Sequence, residues 1–159
     1  MRRQLTLAAT ALVLAGCGNA ADADVNGSTA ITVDPHGNAV VLAAICHSSI
    51  DEVTISFDRT GLKGTEQNKD VGTWRAAKPM KGLVELNLAS PGADWTTTPT
   101  FTPQDDKSYI VIPARAKADV EAGQVYFHGR DLAKLTPTTV LAGAPAKIVK
   151  RSTFERSCS

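Results

Sequence analysis

Residues 39–46, Ala39-Val40-Val41-Leu42-Ala43-Ala44-Ile45-Cys46, are apolar without a break. A strand turns successive side chains to opposite faces, so a run this uniform needs cover on both sides. It suits a central, doubly covered strand with packing above and below. Upstream, residues 30–33 lead into Asp34-Pro35-His36-Gly37-Asn38. There the proline presets the first turn position and the glycine admits positive φ, which predicts a hairpin.

The rest of the chain keeps a period of two. Val53, Ile55 and Phe57 alternate with Glu52, Thr54 and Ser56, while Val84, Leu86 and Leu88 alternate with Glu85 and Asn87. Each is the stripe of a strand with one wet face. Residues 109–112, 125–127 and 147–150 continue the series, and the polar, glycine-containing stretch 58–73 reads as a loop. No helix-period stripe exceeds a turn or two. Residues 131–135, ended by Pro137, form the best short-helix candidate.

Seven or eight short strands joined by Gly- and Pro-containing turns predict an all-β domain, an antiparallel sandwich over residues 30–159. Residues 101–111, ending Lys107-Ser108-Tyr109-Ile110-Val111, resemble the turn into a tyrosine corner of immunoglobulin-like and fibronectin III-like domains. That resemblance implies an immunoglobulin-like architecture. Antibody-type domains place a cysteine two residues after the tyrosine, where this chain has Val111, so the likeness is architectural only.

The N-terminus carries an address. Arg2 and Arg3 precede a short apolar stretch that ends in Leu14-Ala15-Gly16-Cys17. About ten apolar residues cannot cross a bilayer as a helix, which takes about 20. The segment resembles the type II signal peptide of bacterial lipoproteins, with residues 1–16 as the leader and Cys17 as the lipidated first residue of the mature chain. A plain secretory peptide, cut after Ala20 or Ala21, is the alternative. The resemblance implies acyl chains such as palmitate on Cys17, and two or three chains hold a protein on a bilayer stably where one does not. The expected location is the extracytoplasmic face of the cell membrane, with the bilayer as first partner. Taken whole, the chain is similar to small actinobacterial lipoproteins with an uncharacterised β domain, a resemblance that implies location and fold class and brings no activity.

With Cys17 committed to lipid, Cys46 and Cys158 remain as an even pair in an oxidising compartment, which predicts a disulfide. Closing a loop of this length stabilises by about 4.7 kcal/mol in chain-entropy terms. Two free thiols acting as ligands or nucleophile are the alternative, without Cys-x-x-Cys spacing to support them.

Residues 17–29 are small and polar apart from Val25, which predicts a flexible tether. Asp22, Asp24, Asn26 and Gly27 fall at the spacing that opens an EF-hand loop, but its twelfth position is Val33 instead of a bidentate Glu. The linker reading is preferred. Of 17 basic residues two leave with the leader, against 16 acidic ones, so the mature chain is nearly neutral. No field steers nucleic acid, and none is expected as a partner. Lys147, Lys150, Arg151 and Arg156 read as a solvated face.

Catalytic signatures such as Gly-x-Ser-x-Gly, His-Glu-x-x-His and a glycine-rich phosphate loop are absent from the sequence. His36, His47 and His128 follow no metal-site spacing, so neither a metal nor a cofactor is expected. Trp74 and Trp95 sit in polar surroundings and are the candidate binding residues, to be weighed against a core role for each. These observations favour a non-enzymatic, membrane-anchored domain that binds an envelope component or a protein partner. An enzyme or metal carrier built on clustered histidines is one alternative, and a structural accessory subunit of a membrane complex is another.

Overall fold

The computed structural model describes residues 24–98 and 101–158, which form one mixed sheet of nine strands and a short C-terminal helix. The strands are β1 (Asp24–Val33), β2 (Ala39–Phe57), β3 (Asp70–Asn87), β4 (Trp95–Thr98), β5 (Ser108–Ala114), β6 (Val120–Gly123), β7 (Val125–His128), β8 (Thr139–Ala142) and β9 (Lys147–Lys150), followed by α1 (Arg151–Glu155). The order across the sheet is β4-β3-β2-β5-β6-β1-β8-β9; β7 adds to β5, and a β1–β2 pairing closes β2, β5, β6 and β1 into a ring. The leader, Cys17 and Asp22 lie outside the described residues.

The long strand β2 organises everything. Its first half pairs with β1, its second half with β5, and both halves pair with β3. Between them, five steps on β2 (Ile45 to Ile50) face two on β3 (Gly82 to Met80), and the imbalance reverses between Met80 and Arg75. Extra residues on one strand bend it and change which face its side chains meet. Accordingly Val41, Ala43 and Ile45 before the bulge share one core with Ile50, Val53 and Ile55 after it. The sheet therefore folds over on itself at this bend.

The bend also explains a departure from expectation. A ring of four strands paired antiparallel throughout would close antiparallel, but β2 reverses direction within the ring. As a result β1 and β6 run parallel, with Asp24 opposite Val120 and Val25 opposite Glu121. The fold is all-β as predicted, but its sheet is mixed, and the antiparallel immunoglobulin-like arrangement is not what the strand directions describe. The local likeness survives: the Tyr109 hydroxyl accepts a hydrogen bond from the Gln104 backbone N–H at 2.9 Å, the reach-back contact of a tyrosine corner.

Residues 24–29, expected to be part of the tether over 17–29, belong to the sheet instead. Strand β1 begins at Asp24, and residues 27–29 already pair with β2. Small polar residues form a strand here because their backbone groups are satisfied from both sides, by β2 and β6. Gly27 is required by crowding, since a side chain at that position would run into the Ala44 carbonyl. Within β1, Asp24 to Gly27 are extended, which removes the loop geometry of a calcium site.

The first half of β2 is covered on both faces, as its composition demands. Odd-numbered residues enter the main core, and Val40, Leu42 and Ala44 enter a second cluster with Ala30, Val140 and Phe154. Phe154 belongs to α1, which lies over that second face. Beyond it the chain returns to Cys46, and the Cα atoms of Cys46 and Cys158 stand 5.0 Å apart in disulfide geometry. The short helix expected at 131–135 is a 3-10 segment over Gly129–Lys134.

The β1–β2 hairpin is held by one carboxylate. Asp34 Oδ1 accepts from the backbone N–H groups of His36 and Asn38 at 2.8 and 2.9 Å, and Oδ2 accepts from the side chains of Asn38 and Asn87, both at 2.9 Å. These bonds, the Asn38 amide first among them, favour the ionised form and lower the Asp34 pKa from 3.8 to about 2. A depressed folded-state value contributes stability that is fully present above the unfolded pKa and is lost as pH falls through the folded one. Unfolding by denaturant should therefore become easier from about pH 4 down to about pH 2. In Asp34→Asn that acid-range component disappears, which parallel denaturant titrations across this range would read directly.

Candidate functional site

The tryptophans proposed for binding are not on the surface. Trp74 is 0 % exposed and Trp95 7 %, and both belong to the main core. In β3, Gly72 and Trp74 point inward while Thr73 lies between them and Arg75 faces out, so a polar-looking segment is an amphipathic strand. The ring of Trp74 lies over the space a Gly72 side chain would fill, 2.6 Å from that position, and meets Phe101 edge to face. The binding assignment of Trp74 and Trp95 is thus corrected to a packing role.

The histidines sit on separate elements. His36 occupies the β1–β2 turn, His47 lies exposed in the β2 bulge, and His128 ends β7. Among the described residues no group of three or more His, Cys, Asp or Glu is placed to hold a metal ion. Carboxylates near the bulge have structural duties: Asp51 accepts from the Ala116 N–H, and Glu52 pairs with Arg75. Of the basic group near the C-terminus, Lys147, Lys150 and Arg156 are exposed, while Arg151 binds Glu85 and Glu155. Lysines on the edge strand β9 also discourage edge-to-edge pairing.

A polar constellation bordered by two clefts forms elsewhere, where β5 and β7 meet. Ser108 stands opposite His128 in their antiparallel register, so their side chains project from the same, outer face. The Ser108 Oγ and His128 Nδ1 share a hydrogen bond. Asp131, in the first turn of the 3-10 segment, accepts the His128 backbone N–H at 3.0 Å and the Lys134 ammonium at 2.7 Å. Burial pushes the Asp131 carboxyl up, but Lys134 and the His128 N–H outweigh it and the group titrates below its usual value.

Two clefts adjoin this pair, and Asp58, Ser108 and His128 line both. One, of about 410 Å³, runs between β7 and the β8–β9 hairpin and carries Tyr126 and Ile148, 46 % and 47 % exposed. The other, of about 650 Å³, lies under the loop after β2 and carries Leu62. A third cleft of about 500 Å³ opens at the β1–β2 turn, lined by Val33, Leu88, Phe101 and Leu135.

A serine relay orients its imidazole with a carboxylate on the second ring nitrogen. Here Asp131 grips the backbone of His128 instead of its ring. The pair supplies hydrogen-bond donors and acceptors at a fixed spacing, and Tyr126 and Ile148 supply an apolar surface beside them. That combination suits recognition. Sequence reasoning passed over Ser108 and Tyr126 because their facing depends on a β5–β7 register, and β6 intervenes between those strands in the chain. Comparison with family models, with curated proteins and with solved structures finds no match to this chain.

Proposed function

We propose that this protein is a non-enzymatic binding module, lipid-anchored through Cys17 on the extracytoplasmic face of a membrane. Its recognition surface, in this reading, is the cleft between β7 and the β8–β9 hairpin, and its ligand an envelope component or a protein partner. One observation carries the proposal: that cleft reaches the end of the domain away from the point where a tether would enter. Asp24 pairs with Val120 next to the turn after Ala114, whereas Ser108 and His128 sit at the other end of β5. Those ends are six residues of extended chain apart, about 20 Å. A module held at one end and open at the other is free to engage a partner while anchored.

The anchor and the surface are tested separately. Intact mass of the membrane-extracted protein should report acyl groups on a chain beginning at Cys17; an unmodified chain beginning at Met1 would retire the anchor. For the surface, a photo-crosslinking residue at position 126 should capture a discrete species in native membranes, and the same residue at exposed position 117, beside the tether end, should not. Pairing Ile148→Ser with the position 126 probe should weaken capture at least about tenfold, the equivalent of about 1.4 kcal/mol. Equal capture from both positions would sink the assignment of this cleft.

A further inference from the structure

We infer that the Cys46–Cys158 disulfide is a reducible latch that holds the C-terminal segment, residues 151–158, over the second apolar face of the sheet. Three observations converge on it. First, Cys46 is exposed and lies in the β2 bulge, between Ile45 and Ile50, where the ladder to β3 is interrupted. An incoming thiol reaches it without breaking strand pairing.

Second, little else fastens the segment. Helix α1 has five residues, far below the length at which a helix is stable by itself, and Phe154 is its one buried side chain. Arg151 bridges Glu155 and Glu85, with Glu85 about half exposed, and Ser157 shares a hydrogen bond with Ser28 on the surface. One backbone bond, from the Arg151 N–H to the Thr138 carbonyl at 2.9 Å, ties the start of the segment, and the ion pairs, with Arg151 24 % and Glu155 33 % exposed, are only partly shielded from water. Partly solvated pairs are weak, and ordering eight residues of backbone is costly. Without the covalent link the segment loses its hold.

Third, what lies beneath is a prepared apolar face. Ala30, Val40, Leu42, Ala44 and Val140 are each at most 2 % exposed, and Phe154 completes their cluster. They sit in β1, β2 and β8, whose ladders are independent of the C-terminal segment. Opening the latch uncovers this face and leaves the sheet standing.

The opening reaction is thiol–disulfide exchange with a dithiol. One dithiol sulfur, as thiolate, attacks the accessible Cys46 sulfur and expels Cys158 as thiolate; the second thiolate then displaces Cys46 and closes the dithiol into a disulfide. The protein gains two electrons and its two thiolates take up the two protons that the dithiol gave up. The inference rests on the packing of the C-terminal segment and not on the lipid anchor or the cleft.

The test uses dithiothreitol on the native mature protein without denaturant, with alkylation and mass measurement of the thiols and hydrogen exchange by peptide. Both thiols should become alkylated at a rate unchanged by low urea. Exchange in residues 151–158 should accelerate at least tenfold and an apolar dye should bind, while the peptides of β2 and β3 stay protected. Reduction that proceeds only at the rate of global unfolding would overturn the latch, as would a reduced protein whose residues 151–158 exchange as slowly as before. The Cys46→Ser, Cys158→Ser protein, if it folds, should match the reduced state in both readouts.

Discussion

Replacing Trp74 by alanine should lower the stability of the domain by about 3–5 kcal/mol, the range for removing a large aromatic side chain from a core. The position justifies the upper part of that range. Trp74 is fully buried, and it stands opposite Val53 of β2 where the folded sheet brings both halves of that strand onto one core. Its ring abuts Phe101, which in turn meets Tyr109, and Tyr109 packs on both Phe57 and Phe127. The cavity would open inside this aromatic chain, whose members belong to β2, β3, β5, β7 and the segment before β5. Collapse around the void is restricted because Gly72, two residues earlier on the same face, offers no side chain to move in.

A companion substitution separates packing from polarity. Among the described residues the buried Trp74 indole Nε1 has no hydrogen-bond partner, and such a group costs on the order of 1–3 kcal/mol to leave unpaired. Trp74→Phe deletes that group along with part of the ring, so the two effects oppose each other. Its cost should be well under half that of Trp74→Ala. Urea midpoints at constant slope measure both. Equal losses for the two variants would mean that Trp74 does not act through the volume it fills.

Trp74 also shows where reading the chain succeeds and fails. The doubly apolar stretch around Leu42 announced its two-sided burial, and the hairpin at Asp34 to Asn38 followed from turn chemistry, because both depend on neighbours in sequence. The pairing of Cys46 with Cys158 followed from counting thiols. The polar, glycine-containing stretch 58–73 reads as loop, but β3 already begins at Asp70, and the alternation of inward Gly72 and Trp74 with Thr73 and Arg75 is itself a strand signal. The parallel β1–β6 pairing and the lid formed by residues 151–158 depend on where β2 bends, and a bulge between Ile45 and Ile50 leaves no periodic mark. The Ser108–His128 pair was hidden for the same reason: each residue is unremarkable until strand register sets them side by side. The polar neighbours of Trp74 and Trp95 suggest a surface place for both rings, but each side chain turns into the core while its neighbours face out.

Gly129→Ala should be nearly as damaging, and its effect should extend to the cleft. Gly129 is buried, and its Cα hydrogens face the backbone of residues 104 and 105. A methyl group there would lie on the Gln104 carbonyl and 3.0 Å from Asp105 Cα. Neither partner is a flexible side chain. The backbone of residues 104–107 is held in turn by Gly129 N–H to Lys107 and Arg130 N–H to Asp105, at 3.0 and 3.3 Å, so the loop cannot retreat without breaking them. Overpacking of a tight site costs typically 1–3 kcal/mol, and a clash between two backbones belongs at about 3 kcal/mol.

The loop that must move ends at Ser108, and Gly129 directly follows His128, so the strain is delivered to both members of that pair. Gly64→Ala provides the contrast. Position 64 lies in the exposed loop after β2 with nothing near enough to meet a new methyl group. There the same substitution only narrows the unfolded ensemble, and stability should be unchanged or rise by a few tenths of a kcal/mol. Thermal and urea unfolding of the two variants, with exchange or NMR shifts at Ser108 and His128, distinguish the outcomes. A Gly129→Ala protein as stable as the parent, with those shifts unmoved, would mean that the 104–107 loop does not rest on this residue and that the pair is positioned by β5 and β7 alone.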